Sequence, residues 1–158
     1  MNINEIIFRE GRKEDSNRIA ELDSIASEGA LDFLFHDLIP GMTPVQVVAN
    51  GLENDHYPHS YRSTIVAEHN NNIIGMSLSF PSKYHAITDE LRSFLPADRI
   101  GHFKDFFSSR VENSYFLDAL CVEGKYRNLG VGKGTDYKNY KQSYERRLQK
   151  LKPDCFYR

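Results

Sequence analysis

Apolar positions along the chain fall into two rhythms, one of period two and one of period 3.6, and their alternation sketches the elements. "IIFREG" (6–11) has strand composition, and Asp15 or Ser16 stands where a helix cap belongs, ahead of Ile19, Leu22, Ile25 and Ala26 at helical spacing. "FLFHDLIPGM" (33–42) reads as an apolar connection. Thr43-Pro44 then opens a second helix through "VQVVANGLEN", threonine as cap and proline in the first turn. "STIVAE" (63–68) and "NIIGMSLSF" (72–80) are strands flanking His69-Asn70-Asn71-Asn72, residues that tolerate positive φ, so a hairpin is expected.

"ITDELRSFL" (87–95) and "RIGHFKDFFSS" (99–109) predict two short amphipathic helices. "SYFLDALCV" (114–122) is almost continuously apolar, which predicts a strand covered on both faces. After Gly134, Tyr137, Tyr140, Tyr144, Leu148 and Leu151 share one side at helical spacing, up to Pro153, and predict a helix packed through a tyrosine stripe.

Composition narrows the class. The 158 residues, 40% hydrophobic and 27% charged, suit one globular domain, and no apolar run approaches the roughly 20 residues of a membrane span. Two cysteines, Cys121 and Cys155, make neither a disulfide framework nor a zinc spacing, and charge comes too early in the N-terminus for a secretory leader, so a cytoplasmic setting is expected. The net charge of -2 conceals an asymmetry: residues 135–158 hold 7 Lys/Arg against 3 Asp/Glu. A basic tail can serve as a nucleic-acid arm, but the remaining residues offer no matching basic face, and neither nucleic acid nor membrane is expected as a partner.

The chemistry concentrates after the last strand, in "YRNLGVGKGT" (126–135). It is not a nucleoside-triphosphate loop, because Arg127 occupies the place of that motif's first glycine and Gly134 the place of its hydroxyl. It does satisfy R-x-x-G-x-G through Arg127, Gly130 and Gly132, set between a strand and a helix. Glycines there let successive backbone N–H groups converge on an anion, and the positive end of the helix dipole adds to the attraction. A pyrophosphate is the expected ligand; a tight turn with close helix packing is the alternative.

In that context "LDALCVEGKYRNLGVGKG" resembles the acetyl-coenzyme A motif of the GNAT superfamily of acetyltransferases, and the order of elements from residue 5 to 134 is similar to that family's. The resemblance implies an α/β fold of GNAT-like (acyl-CoA N-acyltransferase) type, a mixed sheet with flanking helices, over residues 1–134. It implies acetyl-CoA as cosubstrate without a metal, and transfer of the acetyl group to a primary amine by direct attack. Backbone amides from Arg127 through Asn128, Leu129, Gly130, Val131, Gly132 and Lys133 to Gly134 would cradle the pyrophosphate, and main-chain groups of Leu120, Cys121 and Val122 would receive the pantetheine arm like an added strand. An amide near Val122 would polarise the thioester carbonyl, worth about 2.7–4 kcal/mol in the transition state.

For the proton that the amine must lose, Asp118 and Glu123 are the candidates, each with a structural role as its alternative. "NDHYPHSYRS" (54–63) groups His56, Tyr57, His59, Tyr61 and Arg62 where the family often builds its acceptor pocket, with Tyr57 and Tyr61 as candidate substrate contacts.

The family pattern stops at Gly134. Residues 135–158 leave room for at most a helix, where the family places helix, splayed strand, helix and further strands, so the C-terminal elements are expected to be missing or replaced. With one base dropped at the Thr135 codon and synonymous bases chosen freely, the tail can be read as an amphipathic helix, a Glu-Gly stop and an apolar strand. A frameshift truncation is therefore expected, with a divergent short member carrying an authentic tyrosine-rich helix as the alternative; the function is then either acetyl transfer that survives the truncation or that of a non-catalytic coenzyme A-binding remnant stabilised by self-association. An unpaired sheet edge or the C-terminal helix would then support a homodimer.

Overall fold

The computed structural model describes residues 5–55 and 58–150. Strand β1 (Ile7–Glu10) leads into helix α1 (Ser16–Ala26). Asp15 precedes α1 but does not cap it: its carboxylate accepts from the Arg12 amide at 2.7 Å and from Arg9 at 2.6 Å. Arg9 also reaches Glu68 at 2.7 Å, which ties the first strand to its neighbour. Although burial opposes its charge, Asp15 is held below the usual carboxylate range by Arg9 and the Arg12 amide.

The stretch expected to be a plain connection, 33–42, begins inside a short helix, α2 (Ala30–Phe35), started by Gly29 at φ 95°. None of its residues is fully buried, so its amphipathic signal is weak. Helix α3 (Pro44–Glu53) begins as expected: the Thr43 hydroxyl accepts from the Gln46 amide and the Gln46 side chain accepts from the Thr43 amide, a reciprocal cap worth about 1 kcal/mol.

Strands β2 (Thr64–His69) and β3 (Asn72–Pro81) form the hairpin, with Asn70 at φ 51° and Asn71 at φ 61°. Two consecutive left-handed residues make the turn whose twist matches the strands. Three short helices follow, α4 (Asp89–Phe94), α5 (Ala97–His102) and α6 (Lys104–Ser108), the last two separated at Phe103 where one helix was expected. Strand β4 (Tyr115–Val122) and helix α7 (Val131–Lys150) complete the described chain.

The sheet has the order β1-β2-β3-β4, and every pair is antiparallel. A mixed sheet would need a parallel neighbour beyond β4, and the described residues supply none. α1 and α3 cover one face, where Ile19, Leu22, Leu52, Val66, Met76 and Leu78 form the main core. α7 crosses the other face over a smaller cluster of Ile6, Ala67, Ile74 and Val131.

One expectation fails here. β4 is not covered on both faces: Ala119 and Cys121 are buried, but Leu117 and Leu120 are 43% and 42% exposed. In α7, Tyr137 is 68% exposed, whereas Val131, Thr135 and Asn139, one turn apart, lie buried against the sheet; the side chains of Tyr140, Tyr144, Leu148 and Leu151, the rest of the expected stripe, lie outside the description. The buried stripe is partly polar and is satisfied as such. Asn139 donates to the Ser77 carbonyl at 3.1 Å and to its hydroxyl at 2.6 Å. Apolar content alone therefore misjudged which side of β4 faces inward.

Candidate active site

The chain leaves β4 through a single 3-10 turn (Gly124–Tyr126), then bends twice, with Asn128 at φ 62° and Gly130 at φ 83°, before α7 starts at Val131. Gly130 meets a conformation that a side chain resists. Gly134 has a different reason: a Cβ there would lie 2.3 Å from the Phe8 ring, so its absence lets α7 settle on β1. Inside the loop, the Arg127 amide donates to Gly124 and the Gly134 amide to Gly130. Among the described residues no acceptor takes the amides from Asn128 to Lys133. The anion-cup expectation thus narrows to those six donors, on an exposed surface at the positive end of a 20-residue helix. Gly132 borders this cup with only ordinary contacts around a notional Cβ, the nearest 3.7 Å away at Val122.

Beside the cup runs the open edge of β4. The Glu123 amide donates to Ile74 at 2.9 Å, and antiparallel alternation then turns the main-chain groups of Val122 and Leu120 away from β3, toward the edge, while those of Cys121 pair with Met76. One edge group is already in use: Arg127 Nε donates to the Val122 carbonyl at 3.0 Å. Cys121 presents its thiol to the core, where burial raises its pKa.

Further back along β4 the register shifts. Leu78 opposes Ala119 and Ser79 opposes Leu117, leaving Asp118 as the extra residue of a bulge. Bulges re-aim side chains, and this one sends the Asp118 carboxylate to His59, with Nε2 and Oδ2 3.2 Å apart. The His59 ring stands edge-on to Phe80, centroids 5.3 Å apart, which fixes its plane. From α1, Asp23 lies 8% exposed within electrostatic reach of both. Burial first, and the Asp118 charge second, push Asp23 up to about 7. His59, half of whose side chain stays open to solvent, is raised too: partial desolvation of the ring works against its charge, but the hydrogen bond to Asp118 and the charges of Asp118 and Asp23 outweigh it.

Of the residues singled out from sequence, the structure therefore brings Asp118 together with His59. Glu123 is elsewhere, five positions on, in a cluster with Arg18 and Lys125 that binds the end of β4 to α1; Arg18 also donates to the Ile73 carbonyl at 3.1 Å. Tyr61 sits in a 3-10 turn (Tyr61–Ser63), half-buried beside the main core, its hydroxyl accepting from Arg62 at 3.1 Å. His56 and Tyr57 lie outside the described residues. Asp23 was missed, although a signal existed: it stands four positions after Ile19, a carboxylate on the apolar stripe of its helix. Among the described residues no group of three or more His, Cys, Asp and Glu is placed to hold a metal, and no helix is long and apolar enough to cross a membrane.

Neither a protein-family model nor a curated protein matches the sequence. Solved structures do match the fold. An N-acetyltransferase from Staphylococcus aureus Mu50 superposes with a TM-score of 0.64 at 15% identity, covering 86% of this chain and 75% of that one. An acetyltransferase gives 0.56 at 21% identity, covering 82% and 69% of the two chains. A mosquito arylalkylamine N-acetyltransferase like 5b gives 0.51 at 17%, covering 89% and 71%. The chain thus has the fold of these acetyltransferases. At these identities the likeness establishes architecture, and the chemistry rests on the residues.

Proposed function

We propose that the protein is an N-acetyltransferase that moves an acetyl group from acetyl-CoA to a primary amine by direct attack. The observation that carries this reading is the run of six unclaimed amides, Asn128 to Lys133, opening α7 directly after β4. Backbone donors at a helix start suit a pyrophosphate, with Lys133 adding charge at the exposed rim. The outward main-chain groups of Leu120 and Val122 suit the amide-bearing pantetheine arm, once Arg127 releases the Val122 carbonyl. When bound, acetyl-CoA supplies the activated thioester. The chain contributes the cup, the edge and, at the bulge, the carboxylate of Asp118.

Calorimetric titration with acetyl-CoA, followed by thiol release over a panel of primary amines, tests the proposal. Saturable binding and amine-dependent release are expected; no binding at millimolar acetyl-CoA sinks it. The exposed Leu117 and Leu120 on β4 favour a second reading, a coenzyme A-binding module without turnover that pairs edge to edge with another copy. Binding without thiol release, together with a dimer by light scattering, selects that reading.

A further inference from the structure

Resting on the transfer reaction proposed above, we infer that His59, held at one ring nitrogen by Asp118 and faced by the buried carboxyl of Asp23, is the group that takes the proton from the acceptor amine. The geometry carries it. A general base must be reachable by substrate, oriented, and matched in basicity to the reaction. His59 is reachable, with its side chain 53% exposed while that of Asp118 is 14% exposed. It is oriented: with Nε2–H donating to Asp118, Nδ1 is left for the incoming proton, and the Phe80 ring sets the imidazole plane. The charged groups acting on it from the packed elements are Asp118 on β4 and Asp23 on α1, and in its own loop Arg62 is paired with Asp55 at 3.0 Å. β4 thus presents negative charge to the ring, joined by α1 once Asp23 ionises near pH 7, and both favour its taking up a proton.

Asp23 supports the assignment independently. The residue as a whole is 8% exposed, and no described residue gives its carboxyl a hydrogen bond or ion pair. A side chain so placed on an apolar stripe adds nothing to the core; its effect falls on His59. In the step itself the amine nitrogen forms the C–N bond to the acetyl carbonyl carbon, its proton passes to His59, the C–S bond breaks, and coenzyme A departs as a thiolate that is protonated by the imidazolium or by solvent. His59 is the catalytic residue, and Asp118 and Asp23 are positioning residues.

The experiment combines acetyl-CoA titration, pH–rate profiles and NMR titration of the His59 ring in the full chain and in H59Q, D118N and D23N. H59Q should bind acetyl-CoA as the parent does and lose about 10²–10⁴-fold in kcat/KM, with the acidic limb of the profile gone. In the parent, His59 should titrate above the ordinary histidine value; in D118N and D23N it should titrate lower, and the acidic limb should move to lower pH with it. An unchanged limb in active H59Q, or an unperturbed His59 titration in the parent, overturns the inference while leaving acetyl transfer standing. Failure of the parent to bind acetyl-CoA or to release thiol instead removes the proposed reaction, and the inference with it.

Discussion

The two halves of the candidate site are made of different material. The anion cup is backbone: six amides exposed by the start of a helix, positioned by Asn128 and Gly130 in left-handed conformations and by a helix that sits close because Gly134 has no side chain. The acid–base cluster is side chain: three residues from a helix, a loop and a strand bulge, whose chemistry depends on burial and on each other's charge. A backbone site is damaged by what is added to it, whereas a side-chain site is damaged by what is taken away. That contrast orders the expected effects.

The largest belongs to the cup. Gly132→Glu places a carboxylate among the amides proposed to hold phosphate while its Cβ makes only ordinary contacts, so acetyl-CoA affinity should fall at least about 100-fold, or ~2.7 kcal/mol. Thermal stability should hold or rise, because an acidic, non-glycine residue suits a helix start. Loss of fold in this variant would erase the distinction between the halves.

Asp23→Asn sharpens the comparison from the other side. As pH rises from about 4 to 7, the unfolded chain ionises this carboxyl while the folded protein keeps its proton, so folding loses stability across that window. Asparagine removes the loss. Unfolding free energies of parent and variant, from denaturant titrations, should coincide near pH 4 and separate by about 2–4 kcal/mol in favour of the variant at pH 8, the reverse of what removing a structural ion pair would do.

Smaller effects return to the cup. Gly134→Ala drives a methyl into the Phe8 ring and should cost about 1–3 kcal/mol by urea unfolding, with weaker acetyl-CoA binding as α7 lifts. Asn128→Ala keeps the loop but loses a residue tolerant of φ 62°, and should cost about 1 kcal/mol by the same measurement. Equal effects on binding from both variants would show that loop curvature matters as much as helix seating.

The bend that opens α7 was legible in the sequence because left-handed backbone advertises itself through glycine: Gly130 marked it before any coordinates did. The elements were legible wherever local rules dominate, as in the Thr43 cap and the Asn70-Asn71 turn. Which face of β4 and of α7 turns inward was not, because that depends on what lies across the contact; Ser77 makes room for Asn139, and Leu120 stays 42% exposed. The acid–base cluster was only half legible. Asp118 stood out as a charge in an apolar strand, yet its partnership with His59 needs a bulge created by the pairing of Ser79 with Leu117. His85 illustrates the same limit: it stacks on Phe116 with ring centroids 3.7 Å apart and is bonded to the Phe106 carbonyl at 2.8 Å, an aromatic core position that its sequence surroundings did not announce.

The hold of Arg127 on the Val122 carbonyl has a bearing on how the molecule survives without a ligand. A strand border with free acceptors is an invitation to sheet growth by any passing chain, and a guanidinium parked there acts as a gatekeeper. The same side chain would leave that post when ligand arrives, so one residue would guard against fibre formation in the resting protein and lend positive charge to the loaded one.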